Sequence, residues 1–250
     1  MLPKERRALI LEHLNEHEKV DIEHIAHELQ VSTMTIRRDL SYLEEKDKVI
    51  RTHGGAVLNK PLVNETSFLI KESKNNAQKQ LIAQIAASLV QDNSTILLDS
   101  GTTTIEIAKL LSNKKNVTVI TNDVYIASVL INSEAKVIIT GGELQNSVGA
   151  IFGSLTESLL KSIHVDICFL GAHAFHPEAG IMAPTFEKAA IKRLMIAAAE
   201  TTYLVADSSK ANEKSTVKVC DFRDINGGLI TDYLEEDLHV QLCEKITIIS

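Results

Sequence analysis

Ser32-Thr33-Met34-Thr35-Ile36-Arg37-Arg38-Asp39-Leu40-Ser41-Tyr42-Leu43 is the stretch on which the reading of the chain's first part turns. Ile36, Leu40 and Leu43 fall within about 60° of one another at helical spacing, so they form one buried stripe. Ser32 is a good N-cap for a helix that runs to about Lys46. The opposite face then holds Met34, Thr35, Arg37, Arg38, Ser41 and Tyr42, with Ser32 and Thr33 at its start. Such a face suits a helix that reads the major groove. Arginine bonds guanine O6 and N7 through two N–H groups, hydroxyls reach phosphates or bases, and Met or Thr methyls touch the thymine methyl. The same pattern also describes the solvated face of an ordinary three-helix unit, and the flanking sequence decides between the two.

Upstream, Pro3 sits in the first turn of a charged helix to about Glu16, with Ile10 and Leu14 on one face. Asp21 caps a second helix to Leu29, in which Ile22, Ile25, Ala26 and Leu29 follow the i, i+3, i+4, i+7 pattern. Downstream, Val49 to Val57 forms two short β-prone runs around Gly54-Gly55. This is a small hairpin wing, on which Arg51 and His53 would reach the DNA backbone or minor groove. A winged helix-turn-helix is expected over 3–58, with the helix-turn-helix at about 20–39. Net charge is −7, which excludes a nucleic-acid coat but not a local DNA-binding face. Residues 31–60 carry six basic against four acidic side chains, so the cations concentrate where the reading helix lies.

Val31 to Leu40 with its Thr-Ile-Arg-Arg-Asp-Leu core, then Leu43-Glu44, then Ile50-Arg51-Thr52-His53-Gly54-Gly55-Ala56, resembles the DNA-binding signature of DeoR-type regulators. One departure is Lys46-Asp47-Lys48, where members of that family commonly carry Gly before the wing.

The stretch from Asn59 through Pro61 to the polar run Lys71–Lys79 changes character, and a linker is expected over 59–75. A helix fits Asn76–Val90, with Leu81, Ile85 and Leu89 on one face. From Thr95 onward, apolar strand-like runs alternate with amphipathic helical ones. That predicts a larger α/β domain over 76–250 with a mostly parallel sheet, whose ligands bind beyond the carboxyl ends of the strands. Asp99-Ser100-Gly101-Thr102-Thr103-Thr104 follows the first strand and opens a helix. Gly101 permits a tight turn there, and backbone N–H groups with hydroxyls make an anion cradle. Other strand ends carry Thr121-Asn122-Asp123, Gly141-Gly142-Glu143 and Asp207-Ser208-Ser209-Lys210, where Lys210 supplies a cation. Glu187 opens a helix whose outer face is expected to carry Lys188, Lys192 and Arg193. Each of these elements alone is more often a cap or a turn. Together they gather hydroxyls, an acid and a lysine on one edge of the sheet.

Leu98–Thr103, Thr121-Asn122, Gly141-Gly142 and Asp207–Lys210 are similar, in order, to the sensor domain of DeoR-type regulators. The resemblance implies a fold related to ribose-5-phosphate isomerase and glucosamine-6-phosphate deaminase, and a phosphorylated sugar as effector. By that resemblance, Asp99 to Thr104 hold phosphate or hydroxyls, and Asn122, Gly142, Glu187 and Lys210 line the pocket. A second departure is Gln91-Asp92-Asn93, where Gly is usual.

His13/His17 and His24/His27 come without a carboxylate or cysteine in a known ligand spacing, so surface histidines are expected, with no metal and no cofactor. His173 and His176 are expected to serve a loop. Cys168, Cys220 and Cys243 are far apart and read as buried free thiols. The start of the chain does not read as a signal peptide, and no run of eighteen apolar residues occurs, so a cytoplasmic location is expected. The expected function is a DNA-binding transcription regulator, a repressor of a carbohydrate operon. It would bind double-stranded operator DNA as a homo-oligomer, dimer or tetramer, under control of a phosphorylated sugar. The alternatives are a sugar-phosphate isomerase or deaminase with an appended DNA-binding domain, using Asp99, Glu187 and Lys210, and a structural DNA-bridging protein with a dead pocket.

Overall fold

The computed structural model describes residues 2–17, 19–46, 48–58, 68–112 and 114–250. The chain divides into two compact units, Met1–Asn64 and Glu65–Ser250. The turn at Asp47 and the linker stretch 59–67 lie outside the described residues.

The first unit consists of α1 (Pro3–His17), β1 (Lys19–Asp21), α2 (Ile22–Glu28), α3 (Thr33–Glu45), β2 (Val49–Thr52) and β3 (Gly55–Leu58). Ile10, Leu14, Ile25, Ile36 and Leu40 are fully buried, as their spacing predicts. The Asp21 carboxylate accepts the N–H groups of Glu23 and His24, and Ser32 Oγ accepts that of Thr35, so both caps form. The wing gains an unexpected third strand, in the order β1-β3-β2. At three residues, β1 is too short to show a period. Its trace lies in Gly55: a Cβ there would stand 1.9 Å from the Val20 carbonyl oxygen, so this close pairing needs glycine. Asp39 lies on the inner side of α3 and is only 1% exposed; it accepts Arg6 Nε at 2.5 Å and Arg7 Nε at 2.7 Å, joining α1 to α3.

The second unit begins with α4 (Phe68–Glu72), within the stretch expected to be linker. Phe68 is buried and stacks on Tyr125 with ring centroids 3.8 Å apart. There follow α5 (Asn76–Ser88), β4 (Thr95–Leu98), α6 (Thr102–Leu111), β5 (Thr118–Thr121), α7 (Val124–Leu130), β6 (Lys136–Ile139), β7 (Glu143–Gln145), β8 (Ala150–Phe152), α8 (Ser154–Ser162) and β9 (Val165–Gly171). The chain ends with β10 (Ala174–His176), β11 (Gly180–Ala183), α9 (Phe186–Ala197), β12 (Ala199–Val205), β13 (Val217–Cys220), β14 (Gly228–Ile230), α10 (Glu236–Cys243) and β15 (Ile248–Ile249).

Among the described residues, seven strands form one sheet in the order β15-β14-β12-β9-β4-β5-β6, every pair parallel. Alternation along β4 and β9 fills both faces. Ile96, Leu98 and Phe169 pack with α5, α6 and α7, while Leu97, Cys168 and Leu170 pack with α8 and α9. A sheet covered on both sides explains why its strands read as continuous apolar runs. The strand order changes direction around β4 and β9, and the site lies at their carboxyl ends.

Two antiparallel additions were not expected from sequence: the β7-β8 hairpin and the β10-β11-β13 sheet. Their strands are three or four residues long and carry no sustained alternation. The buried face of α5 also differs from expectation. It holds Lys79, Ile82, Ala83, Ala86 and Ala87, while Leu81 is 43% exposed. The alanines let α5 pack closely on α6, a pairing that a search for large apolar residues overlooks. Asn93 takes φ +66°, the left-handed turn that glycine usually fills and asparagine tolerates. Of the cysteines, Cys168 is buried, Cys220 half-buried and Cys243 exposed, so the expectation of three buried thiols is corrected.

Candidate functional site

The first unit presents one exposed helical face. Ser32, Thr33, Met34, Arg37, Arg38, Ser41 and Tyr42 are all exposed on α3 or at its cap, and Thr35 is half-buried. Five of the residues expected to contact DNA are partly engaged within the unit. Arg51 Nη1 donates from β2 to Arg37 O at 3.3 Å and Ser41 Oγ at 3.2 Å, so it braces the wing against the helix. Tyr42 lies under the Arg7 guanidinium at 3.7 Å. Ser32 and Thr35 hydroxyls bond each other at 2.9 Å. That leaves Thr33, Met34, Arg37 and Arg38 facing outward, with His53 exposed between β2 and β3.

In the second unit the chemistry gathers at the strand ends. Asp99 follows β4 and is 2% exposed. Its Oδ2 accepts the Gly171 N–H at 3.0 Å and the Lys192 ammonium, and Lys192 also donates to Gly171 O at 2.8 Å. Lys192 comes from α9 and is 7% exposed, so this is a buried ion pair with hydrogen bonds to both partners. Gly101 is extended, with φ 163°, a conformation any residue adopts, and a Cβ there would meet only Thr104 Oγ1 at 3.6 Å. A tight turn therefore does not explain its glycine. The N–H groups of the first turn of α6, beside half-buried Ser100, Thr102 and Thr103, have no side-chain cap. Thr104 instead spends its hydroxyl on Asp99 O at 2.7 Å and Gly101 O at 2.8 Å, holding the loop.

Cations crowd this edge. Burial and the nearby Lys210 and Lys192 lower Lys71 to about 8. Burial and Lys192 lower Lys188 to about 7. Burial and the same lysine group push His173 down to about 4. Lys79, 4% exposed, donates to Lys71 O and so fixes the end of α4. Asp207 accepts Asn75 Nδ2 at 2.9 Å and Ser209 Oγ at 2.5 Å, which sets the loop bearing Lys210. On the β5 side, Asn122 donates to Ile151 O at 3.1 Å, and Asp123 caps α7. Burial raises Asp123 to about 6 against the backbone N–H groups of Ile126, Tyr125 and Gly101 that its carboxylate accepts. Among the described residues, Asn122 Oδ1 is buried without a hydrogen-bond partner, which is costly.

The model of the DeoR-like helix-turn-helix domain matches residues 6–61, and that of the DeoR C terminal sensor domain matches residues 74–233. The chain belongs to the DeoR family of DNA-binding transcription regulators. This DeoR-family protein is 34% identical over 237 residues to the putative aga operon transcriptional repressor of Escherichia coli O157:H7, covering 93% of this chain and 88% of that protein. It is 33% identical over 241 residues to the L-fucose operon activator of Haemophilus influenzae, covering 96% of each. Among solved structures, ribose 5-phosphate isomerase A from Methanocaldococcus jannaschii is 19% identical, with 55% of each chain covered and a TM-score of 0.42. No described helix is long and apolar enough to cross a membrane.

Of the residues expected at the sensor edge of this DeoR-family protein, Asp99 to Thr103, Asn122 and Lys210 come to one place. Asp99 is held by Lys192, and Thr104 is a loop brace. Gly142 has a backbone reason of its own: at φ +140°, a Cβ would stand 2.0 Å from Phe152 O. Glu187 is exposed, and of the neighbours expected on the outer face Arg193 is exposed while the other two are reversed. Lys188 and Lys192 turn inward from α9, because they share the buried stripe with Met195. Lys71, Lys79 and Asp123 were missed, and His173 lies among the lysines although a loop role was expected. A signal for the lysines was present, since Lys188, Lys192 and Met195 share one helical face.

Proposed function

We propose that this regulator represses a carbohydrate-metabolism operon and that a small phosphorylated sugar, bound at the carboxyl edge of the seven-stranded sheet, controls its DNA binding. The observation that carries this reading is the excess of cation there. Asp99 pairs with Lys192, while burial holds Lys71 and Lys188 well below the usual lysine range, with Lys210 and Lys192 acting on Lys71 and Lys192 on Lys188. A phosphate at the first turn of α6 relieves that repulsion and accepts the free N–H groups. Asn122 Oδ1 then accepts a sugar hydroxyl. On the DNA side, Arg37 and Arg38 read bases, while Ser32, Thr33, Thr35 and His53 contact phosphates or groove edges. One short reading helix supplies few contacts, so a homo-oligomer on paired half-sites, dimer or tetramer, is the working form.

The test is fluorescence anisotropy on the upstream DNA of the gene, with salt varied first and then phosphorylated sugars at fixed salt. Binding that weakens steeply with salt, and a shift produced by one sugar phosphate but not by its unphosphorylated sugar, supports the reading. Binding indifferent to every phosphorylated sugar overturns the effector assignment. A transcription assay sets the sign, because the family relatives include both a repressor and an activator.

Asp123 at about 6 and Lys188 at about 7 favour a second reading. Groups near neutrality are suited to proton transfer, which is the chemistry of an isomerase or deaminase. Steady-state assays with ribose 5-phosphate and glucosamine 6-phosphate separate the two. Turnover above background makes the protein an enzyme as well as a regulator.

A further inference from the structure

By sequence, the paired histidines of the first unit are two separate surface pairs. The fold brings them together and adds a carboxylate. His13 and His17 lie one turn apart on α1, with ring centroids 4.5 Å apart. His24 and Glu28 lie one turn apart on α2. The two pairs meet: the His13 and His24 rings are 5.9 Å apart. A single oxygen, Glu28 Oε2, stands 3.5 Å from His13 Nδ1 and 3.9 Å from His24 Nδ1.

We infer that His13, His24 and Glu28, with His17 as fourth donor, form a binding site for a divalent transition-metal ion of the zinc class, bridging α1 and α2. One donor atom from each of His13, His24 and Glu28 already lies within 4.8 Å of the others. Donors about 2.0–2.2 Å from a tetrahedral ion are about 3.3–3.5 Å apart. The site therefore closes by a contraction of about an ångström. The side chains that make this movement are free to do so: those of His24 and Glu28 are 70% and 52% exposed. That of His13, 16% exposed, is held by packing and gives the site a fixed anchor. Three imidazoles with one carboxylate select zinc, nickel, cobalt or copper over magnesium and calcium, which require oxygen donors. Two donors spaced i, i+4 on each of two packed helices let both pairs face one ion. The bound ion cross-links α1 to α2, and α1 is already joined to α3 through Arg6, Arg7 and Asp39. All three helices of the DNA-binding unit are thereby tied together.

The experiment is a Zn²⁺ titration of the full-length, tag-free chain in competition with a chromophoric chelator, alongside thermal melts. It needs neither DNA nor effector, so its outcome is independent of the proposed effector. One saturable equivalent per chain is expected near neutral pH. His24→Ala and Glu28→Gln change exposed side chains and leave folding intact. Each is expected to weaken zinc binding by at least the roughly 10–100-fold that loss of a supporting contact costs, and to abolish the zinc-dependent rise in melting midpoint. His239→Ala removes a separate donor pair, with Cys243, and is expected to leave the equivalent in place. Absence of saturable binding by the folded wild-type chain overturns the inference, as does an equivalent that survives combined replacement of His13 and His24 by Ala.

Discussion

Each unit buries one aspartate against basic side chains, and the two arrangements differ in what remains over. Asp39 takes both Arg6 and Arg7, while Arg37 and Arg38 stand in solvent on the outer face of α3. Asp99 takes only Lys192, and Lys71 and Lys188 stay confined beside it with lowered proton affinity. The first aspartate completes a scaffold behind a face that works outward. The second holds Lys192 and the Gly171 backbone together at the carboxyl ends of β4 and β9. The same residue type thus joins two helices in one unit and ties a helix to the sheet edge in the other.

The comparison breaks most visibly when the aspartates are removed. Asp99→Ala strands a buried ammonium and is expected to cost about 3–5 kcal/mol in urea denaturation of the second unit. Asp39→Ala is expected at the lower end of that range, because the Arg7 side chain is 26% exposed and regains water. A loss below about 1 kcal/mol for Asp99→Ala would deny the buried pair its structural part. Next come the outward arginines. Arg37→Ala or Arg38→Ala is expected to weaken operator binding by about 1–3 kcal/mol each in anisotropy, with the melting midpoint unchanged.

The confined lysines respond to pH. A bound phosphate raises Lys71 and Lys188 above their free values of about 8 and 7, so binding takes up protons once pH exceeds those values. Effector affinity is expected to fall as pH rises from about 7 to 9, by up to about tenfold per unit for each proton taken up. Lys188→Met is expected to remove the portion near 7; titration calorimetry in a pH series reads both, and a flat profile would place the phosphate elsewhere. The smallest effect is expected at Gly101. Gly101→Ala should leave stability within about 0.5 kcal/mol, since the added methyl meets only an ordinary contact, while effector binding weakens.

Much of this was legible in the sequence, for reasons that differ between the units. Ile36, Leu40 and Leu43 repeat within two turns, so local period alone oriented the reading helix. The strand-end motifs at Asp99–Thr103 and Asp207–Lys210 were legible because chain reversals concentrate Gly, Ser and Asp. Lys192 was turned the wrong way because a charged residue normally marks the wet face of a helix, and its partner lies 93 residues earlier in the chain. Lys71 was assigned to a linker because its surroundings, Lys192 and Lys210, are also supplied by distant segments. Glu28 escaped notice as a companion of His13 for the same reason: helix spacing relates neighbours on one helix and says nothing of the helix packed beside it.

The central pairing of the sheet, β4 on β9, joins Ile96–Leu98 to Ile167–Phe169. On the ribosome this fixes an order of events. All described contacts of the first unit's core lie within residues 10–58, so it closes while the rest of the chain is still being made. The pocket has to wait for Lys192 and Lys210, long after Asp99 has left the exit tunnel. A nascent chain therefore holds a finished reading helix before it holds a finished sensor. Factors that slow synthesis between these points lengthen the interval in which the first exists without the second.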